Sequence, residues 1–226
     1  MANSEEHSSR DLSDFSPLDV EREQLLSAHR QWKQTQRKTP LADFETQPPG
    51  PGGDRTEEHR DFFQLDRREA DFRHQDLANA NFQEAYLPGA DFEGANLRGA
   101  NFQGANLRGA RFHQTQLAWA NFSQADLIWA NFRQADLQGA KFREATLRGT
   151  TFLQAKIRGG DFQSVDCSWA DFQEADLEEA DFHQANLTGT NFQDARTRST
   201  DFSEAKNPQG VPRAEDSPSS SGPLLF

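Results

Sequence analysis

Residues 90–104 read ADFEG, ANLRG, ANFQG, three consecutive five-residue units of the form A-(D/N)-(F/L)-x-x. Working outward from them, the pattern continues in both directions. Phe occupies every tenth position from Phe62 to Phe202 without an exception. Halfway between stand Leu77, Leu87, Leu97, Leu107, Leu117, Leu127, Leu137, Leu147, Ile157, Cys167, Leu177 and Leu187. Two residues before these centres stands nearly always Ala, sometimes Thr or Gly, and one before is usually Asp or Asn. A helix cannot use this spacing, because five residues advance it by about 500° and smear the centres around the axis. A straight strand fails as well, since an odd period sends successive centres to opposite faces. The chain therefore turns within each unit. The centre and the small residue two before it point inward, as residues two apart do on one face of a strand. The Asp or Asn and the two residues after the centre point outward. Gly at the second of these, as at Gly89, Gly99, Gly104, Gly109, Gly139 and Gly149, suits a turn backbone with positive φ.

On these residues the array, about 60–207, resembles the pentapeptide-repeat family. The resemblance implies an all-β fold, a right-handed quadrilateral parallel β-helix with four units per coil. Twenty-residue coils would stack Phe62, Phe82, Phe102 and their successors on one face and Phe72, Phe92, Phe112 and theirs on the opposite one. Leu columns would fill the other two faces. Seven coils at about 4.8 Å each make a rod roughly 34 Å tall. The pattern frays at the ends, with Arg67, Thr197 and Asn207 at centres.

Residues 1–59 form a polar leader. Ser16, Pro17 and Asp19 make a helix start, Arg37 and Lys38 followed by Pro40 a helix stop, so an N-terminal α-helix is expected over about 17–38. Leu18, Leu25, Leu26 and Trp32 give it a narrow apolar stripe, suited to docking on the solenoid, capping it, or meeting a partner. QPPGPGG at 47–53 reads as a flexible hinge, and 208–226, rich in Pro, Ser and Gly, as a disordered tail.

Composition narrows the function. The net charge of −12 argues against direct nucleic-acid binding and leaves room for a partner with a basic surface. The only cysteine is Cys167, at a core position, so an intramolecular disulfide and multi-cysteine zinc sites are excluded. No apolar run is long enough for a membrane span and no secretory signal is evident, so a cytoplasmic location is expected. His59, His74, His113 and His183 sit at outward positions without metal-ligand spacing, and no nucleophile, phosphate-loop or zincin motif is present. The expectation is a non-enzyme without cofactor or metal. Its partner is another protein, and nothing indicates a homodimer.

Two outward features break the polar norm. Trp119, Trp129 and Trp169 occupy the second position after a centre, where other units carry Gly or a polar residue. Trp129 and Trp169 differ by forty residues and share one stripe, with Ile128, Arg148 and Gly149 beside it; Trp with Arg on a rigid face is the composition of a binding hot spot. The bland reading is that each Trp lies flat over its own corner. The second feature is a run without basic residues: Asp161, Asp166, Asp171, Glu174, Asp176, Glu178, Glu179 and Asp181. It follows a mildly basic zone containing Arg133, Lys141, Arg143, Arg148, Lys156 and Arg158. The run is either the consensus outward Asp or an acidic surface for a basic partner. Two functions follow, an interaction scaffold or regulatory factor and, by resemblance to family members that protect or inhibit type II topoisomerases, an acidic DNA mimic.

Overall fold

A computed structural model describes residues 61–208 and, in a separate N-terminal unit, seven residues between Val20 and Gln31. In that unit Val20, Glu23, Gln24, Ser27, Ala28, Arg30 and Gln31 are helical, inside the expected span, and Arg30 lies 3.5 Å from Glu23 two turns away. The expected helix caps, the Leu18–Trp32 stripe, the 47–53 hinge and the tail beyond Pro208 lie outside the described residues.

The repeat array is held by single-residue parallel bridges, and every one joins residues twenty apart, from Asp61–Asn81 through to Asn186–Lys206. Twenty residues are therefore one coil. Each coil carries four bridging positions, one per five-residue unit, and so has four sides.

Why five residues suffice for one side is clear from the backbone of a single unit. Asp91 N–H donates to Ala70 O in the preceding coil (2.8 Å), and Phe92 and Gly94 N–H donate to Arg111 and His113 O in the next (2.7 and 3.0 Å). Ala95 N–H closes the corner on Phe92 O at 3.0 Å. The remaining donor, Glu93 N–H, is taken by the Asp91 carboxylate at 3.0 Å. No N–H of the unit is left over, which a buried backbone requires. The Asp or Asn of the repeat is thus a side-chain cap on the turn that follows it. Arg73, Gln83, Arg133, Gln163 and Gln193 N–H are held the same way by Asp71, Asn81, Asn131, Asp161 and Asn191.

The corner closed by that turn has positive φ at its third residue, as a type II turn does. The sequence suggests this only where Gly stands. In the structure the residue two after the centre has positive φ in every unit from Gln64 to Glu204, whether it is Gly, Gln, Glu, His or Trp. The hydrogen-bonded coil imposes the conformation on residues that would not choose it.

The interior follows the residue columns. Phe rings one coil apart stack face to face, as Phe92 on Phe112 with centroids 4.9 Å apart and 1° between planes. Rings half a coil apart meet edge to face across the axis, as Phe82 with Phe92 at 5.6 Å and 87°. The edge-to-face contacts suit the aromatic quadrupole, and each buried Phe or Leu contributes on the order of 2 kcal/mol. The Ala positions are buried beside them. Where Thr replaces Ala, its hydroxyl donates to a carbonyl of the coil below: Thr115 to Phe92 O (2.9 Å), Thr150 to Leu127 O (2.8 Å) and Thr190 to Cys167 O (2.9 Å). Cys167 is buried in a Leu column, and burial, with Asp166 nearby, pushes its thiol well above the usual range. At the ends Phe62, Leu65 and Phe202 are only partly covered.

Candidate interaction surface

Since the repeats are core, any surface chemistry resides in the outward residues, above all at the corners. A left-handed corner residue projects its side chain along the rod toward the same corner one coil on. Where both corners are polar, the side chains form a ladder: Gln114 donates to Gln134 (3.2 Å), Gln134 to Gln154 (2.9 Å) and Gln154 to Glu174 (2.8 Å). Where the upper corner is Gly and the lower one is Trp, as at Gly139 and Gly189, the indole lies over it. A Cβ on Gly139 would fall 2.3 Å from the Trp119 ring, and one on Gly189 would fall 2.3 Å from Trp169. Glycine at these two positions leaves the space that the indoles fill.

The bridging register places the three Trp residues. Trp129 and Trp169 share a corner two coils apart, with Gly149 between them, and both are half-buried, as are Ile128 and Arg148. Trp119 is half a coil away, at the opposite corner, and does not join them. It is 72% exposed, against 48% for Phe63, the other exposed large hydrophobic among the described residues. All three adopt positive φ, between 59° and 64°, an outlier conformation for a bulky residue.

The acidic run is distributed differently from a patch. It spans one coil, so Asp161 and Asp181 share a column while Asp166, Asp171 and Asp176 occupy the other three sides. Each of these Asp residues caps a turn, receiving the N–H of Gln163, Ser168, Gln173, Glu178 or His183. Basic side chains from the coils on either side meet the belt. Arg143 pairs with Asp161 (3.1 Å), Arg148 with Asp166 (3.9 Å), Arg158 with Glu179 (2.6 Å) and Glu178 (3.7 Å), and Arg196 with Asp176 (3.3 Å) and Glu178. The Arg158 hydrogen bond pulls Glu179 below the usual carboxylate range. Glu174 accepts from Gln154, and Asp171 from Asn191.

The histidines serve the surface: His113 Nδ1 lies 3.1 Å from Arg133 O, His183 Nδ1 lies 2.9 Å from Ser203 Oγ, and His74 covers Gly94. Among the described residues no cluster of His, Cys, Asp and Glu could hold a metal ion, and no helix is long and apolar enough to cross a membrane.

A family model described as pentapeptide repeat region matches residues 67–142 and 129–202. The chain belongs to the pentapeptide-repeat family. The family's fold is a right-handed quadrilateral β-helix, and the twenty-residue parallel bridges show its four-sided coil. Solved pentapeptide-repeat structures resemble it. A protein from the Arabidopsis thaliana thylakoid lumen is 30% identical, covering 57% of this chain and 78% of that chain, with a TM-score of 0.36. HetL of Nostoc, involved in heterocyst differentiation regulation, is 25% identical over 65% of this chain and 78% of its own, TM-score 0.33. QnrB1, a plasmid-mediated fluoroquinolone resistance protein, is 21% identical over 62% and 81%, TM-score 0.42. No curated protein matches the chain.

Two features of this pentapeptide-repeat surface escaped the sequence reading. Leu153 is an outward, half-buried Leu one side away from the Trp129–Trp169 corner. Gly139 and Gly189 are the seats of Trp119 and Trp169. A signal for the second was present: each Trp has Gly both twenty residues before and twenty after it.

Proposed function

We propose that the protein is a non-enzymatic, cytoplasmic interaction scaffold that engages partner proteins through the corners of its rod. One observation carries the reading. Trp stands at three left-handed corners, where backbone conformation favours Gly, and Trp119 keeps most of its ring in solvent. Indole is also the side chain most enriched among binding anchors. Because the rings occupy opposite corners, one rod offers two separated anchoring sites, as a scaffold needs.

The test is a pull-down with mass spectrometry, comparing the wild-type chain with the combined Trp119→Gly, Trp129→Gly and Trp169→Gly variant. Gly is the residue these corners favour, so the fold is retained and partner recovery falls. Unchanged recovery sinks the reading. The acidic DNA-mimic alternative draws on the charge of −12 and the 161–181 belt, but the arginines paired along that belt weigh against it. Inhibition or protection of gyrase in a supercoiling assay at micromolar protein would favour it instead.

A further inference from the structure

Around Trp119 the cations Arg98, Lys141, Lys156 and Arg158 outnumber the carboxylates Asp136 and Asp161, which bridge to Lys156 and Lys141. Arg98 is exposed one coil below, and Lys141 and Lys156 are exposed above it, none with an ion pair to a described residue. Arg98 stands to Trp119 in the register by which Arg158 reaches Glu179, one coil and one residue on, so a side chain of that length can reach the Trp119 corner. Gly159 continues the corner beyond Gly139, and a Cβ there would meet nothing within 4 Å. The ring therefore rests one face on Gly139 and presents the other to solvent beside a bare strip of backbone.

We infer that this corner docks a short acidic segment of a partner protein, whose aromatic or proline side chain stacks on Trp119 while its carboxylates meet Arg98, Lys141 and Lys156. This rests on the scaffold reading and gives one of its anchors a ligand chemistry. The length of the site follows from its borders. Arg98 and Arg158 are three coils apart, about 14 Å, which an extended chain crosses in roughly four to five residues. Directly above, Asp176, Glu178 and Glu179 close the basic strip. A long polyanion would run into that acidic coil within about one Debye length of 8–10 Å, so the site selects a short acidic stretch over a nucleic acid strand.

The experiment measures binding of the full chain to labelled peptides of about five to seven residues, in which Glu residues flank a central Phe or Pro. Gln-for-Glu counterparts and a short oligothymidylate serve as the other arms. Saturable binding is expected for the acidic peptides alone. It weakens by at least about tenfold in the Gln counterparts, in Trp119→Gly, and in Arg98→Ala with Lys141→Ala. It also weakens as salt is raised from about 0.05 to 0.5 M. Circular dichroism and thermal unfolding confirm that Trp119→Gly is folded, as Gly99, Gly139 and Gly159 already occupy this corner natively. Equal binding of Gln and Glu peptides, binding indifferent to Trp119→Gly, binding of oligothymidylate only, or no binding at all each overturns the inference. If the peptides fail while the triple Trp variant still loses its cellular partner, the scaffold reading stands and this corner's chemistry falls.

Discussion

Gly139 and Gly159 occupy the same corner one coil apart, both with positive φ near 65°, and differ in one respect: the Trp119 ring lies over the first and nothing lies over the second. Substituting each by Ala separates backbone strain from the ring contact. Gly159→Ala incurs only the left-handed penalty of a Cβ, about 1 kcal/mol. Gly139→Ala incurs the same penalty and also evicts the indole, because the new methyl would stand 2.3 Å from Trp119 Cε3 and Cζ3. Trp119 is 72% exposed, so the covered part of its surface is 28%. For a residue of about 250 Å² that is roughly 70 Å², worth about 1.5–2 kcal/mol at roughly 25 cal/mol per Å². The expected costs are thus about 1 kcal/mol for Gly159→Ala and about 2.5–3 kcal/mol for Gly139→Ala. Urea unfolding of both variants, repeated in a Trp119→Gly background, closes a double-mutant cycle. In that background the two glycine substitutions should cost the same, and tryptophan emission of Gly139→Ala should shift toward that of solvated indole. Equal costs in the wild-type background would refute the seating of the ring on Gly139.

Phe132→Ala removes a ring stacked between Phe112 (4.6 Å) and Phe152 (5.0 Å) and should cost about 3–5 kcal/mol. Its effect on hydrogen exchange should be greatest in the coils containing those neighbours and fade toward both ends, as nearest-neighbour coupling requires. The Cys167 thiol, buried and pushed up in pKa, should resist alkylation at neutral pH in the native protein and react only on unfolding. Asp71 is held at about 2 by the Arg73 side chain and backbone N–H, and Asp201 is lowered by the Ser203 hydroxyl and N–H. Folded values below the unfolded one mean that these caps stabilise above about pH 4 and lose that contribution as the pH falls toward 2. Amides of the terminal coils, Arg73 and Ser203 among them, should therefore gain exchange in that interval; unaltered local protection would refute the caps.

Most of the fold is legible in the chain because it is written in one repeating unit. Phe and Leu centres alternating every five residues exclude helix and straight strand by arithmetic alone, and family resemblance supplies the four units per coil that make the coil twenty. Register, read from the same period, already puts Trp129 and Trp169 on one stripe; what the linear order obscures is the placement of the acidic run and the role of the Asp and Asn positions. Asp161 to Asp181 look like a patch when read in order, yet twenty residues circle the rod, so the same carboxylates face four directions and meet arginines from other coils. The role of Asp and Asn was similarly hidden: composition marks them as outward, but only the position of Glu93 N–H beside Asp91, repeated along the array, shows them to be caps. Trp119 and Trp129 are ten residues apart and look like neighbours, whereas half a coil sets them on opposite corners.

The uniform separation of twenty between bridged residues also bears on how the chain finds its structure. Sheets ordinarily fold slowly because their strands pair across long, varied stretches of sequence. Here the loop to be closed is the same for every coil, about 2.7 kcal/mol of closure entropy at twenty residues, whichever side is forming. Over the 148 residues of the array a separation of twenty gives a relative contact order of about 0.14, below the range of β-sandwiches. Once two coils have paired, each further coil is templated on a complete edge. The molecule can thus grow like a crystal in one dimension, by layers whose thickness and composition never change.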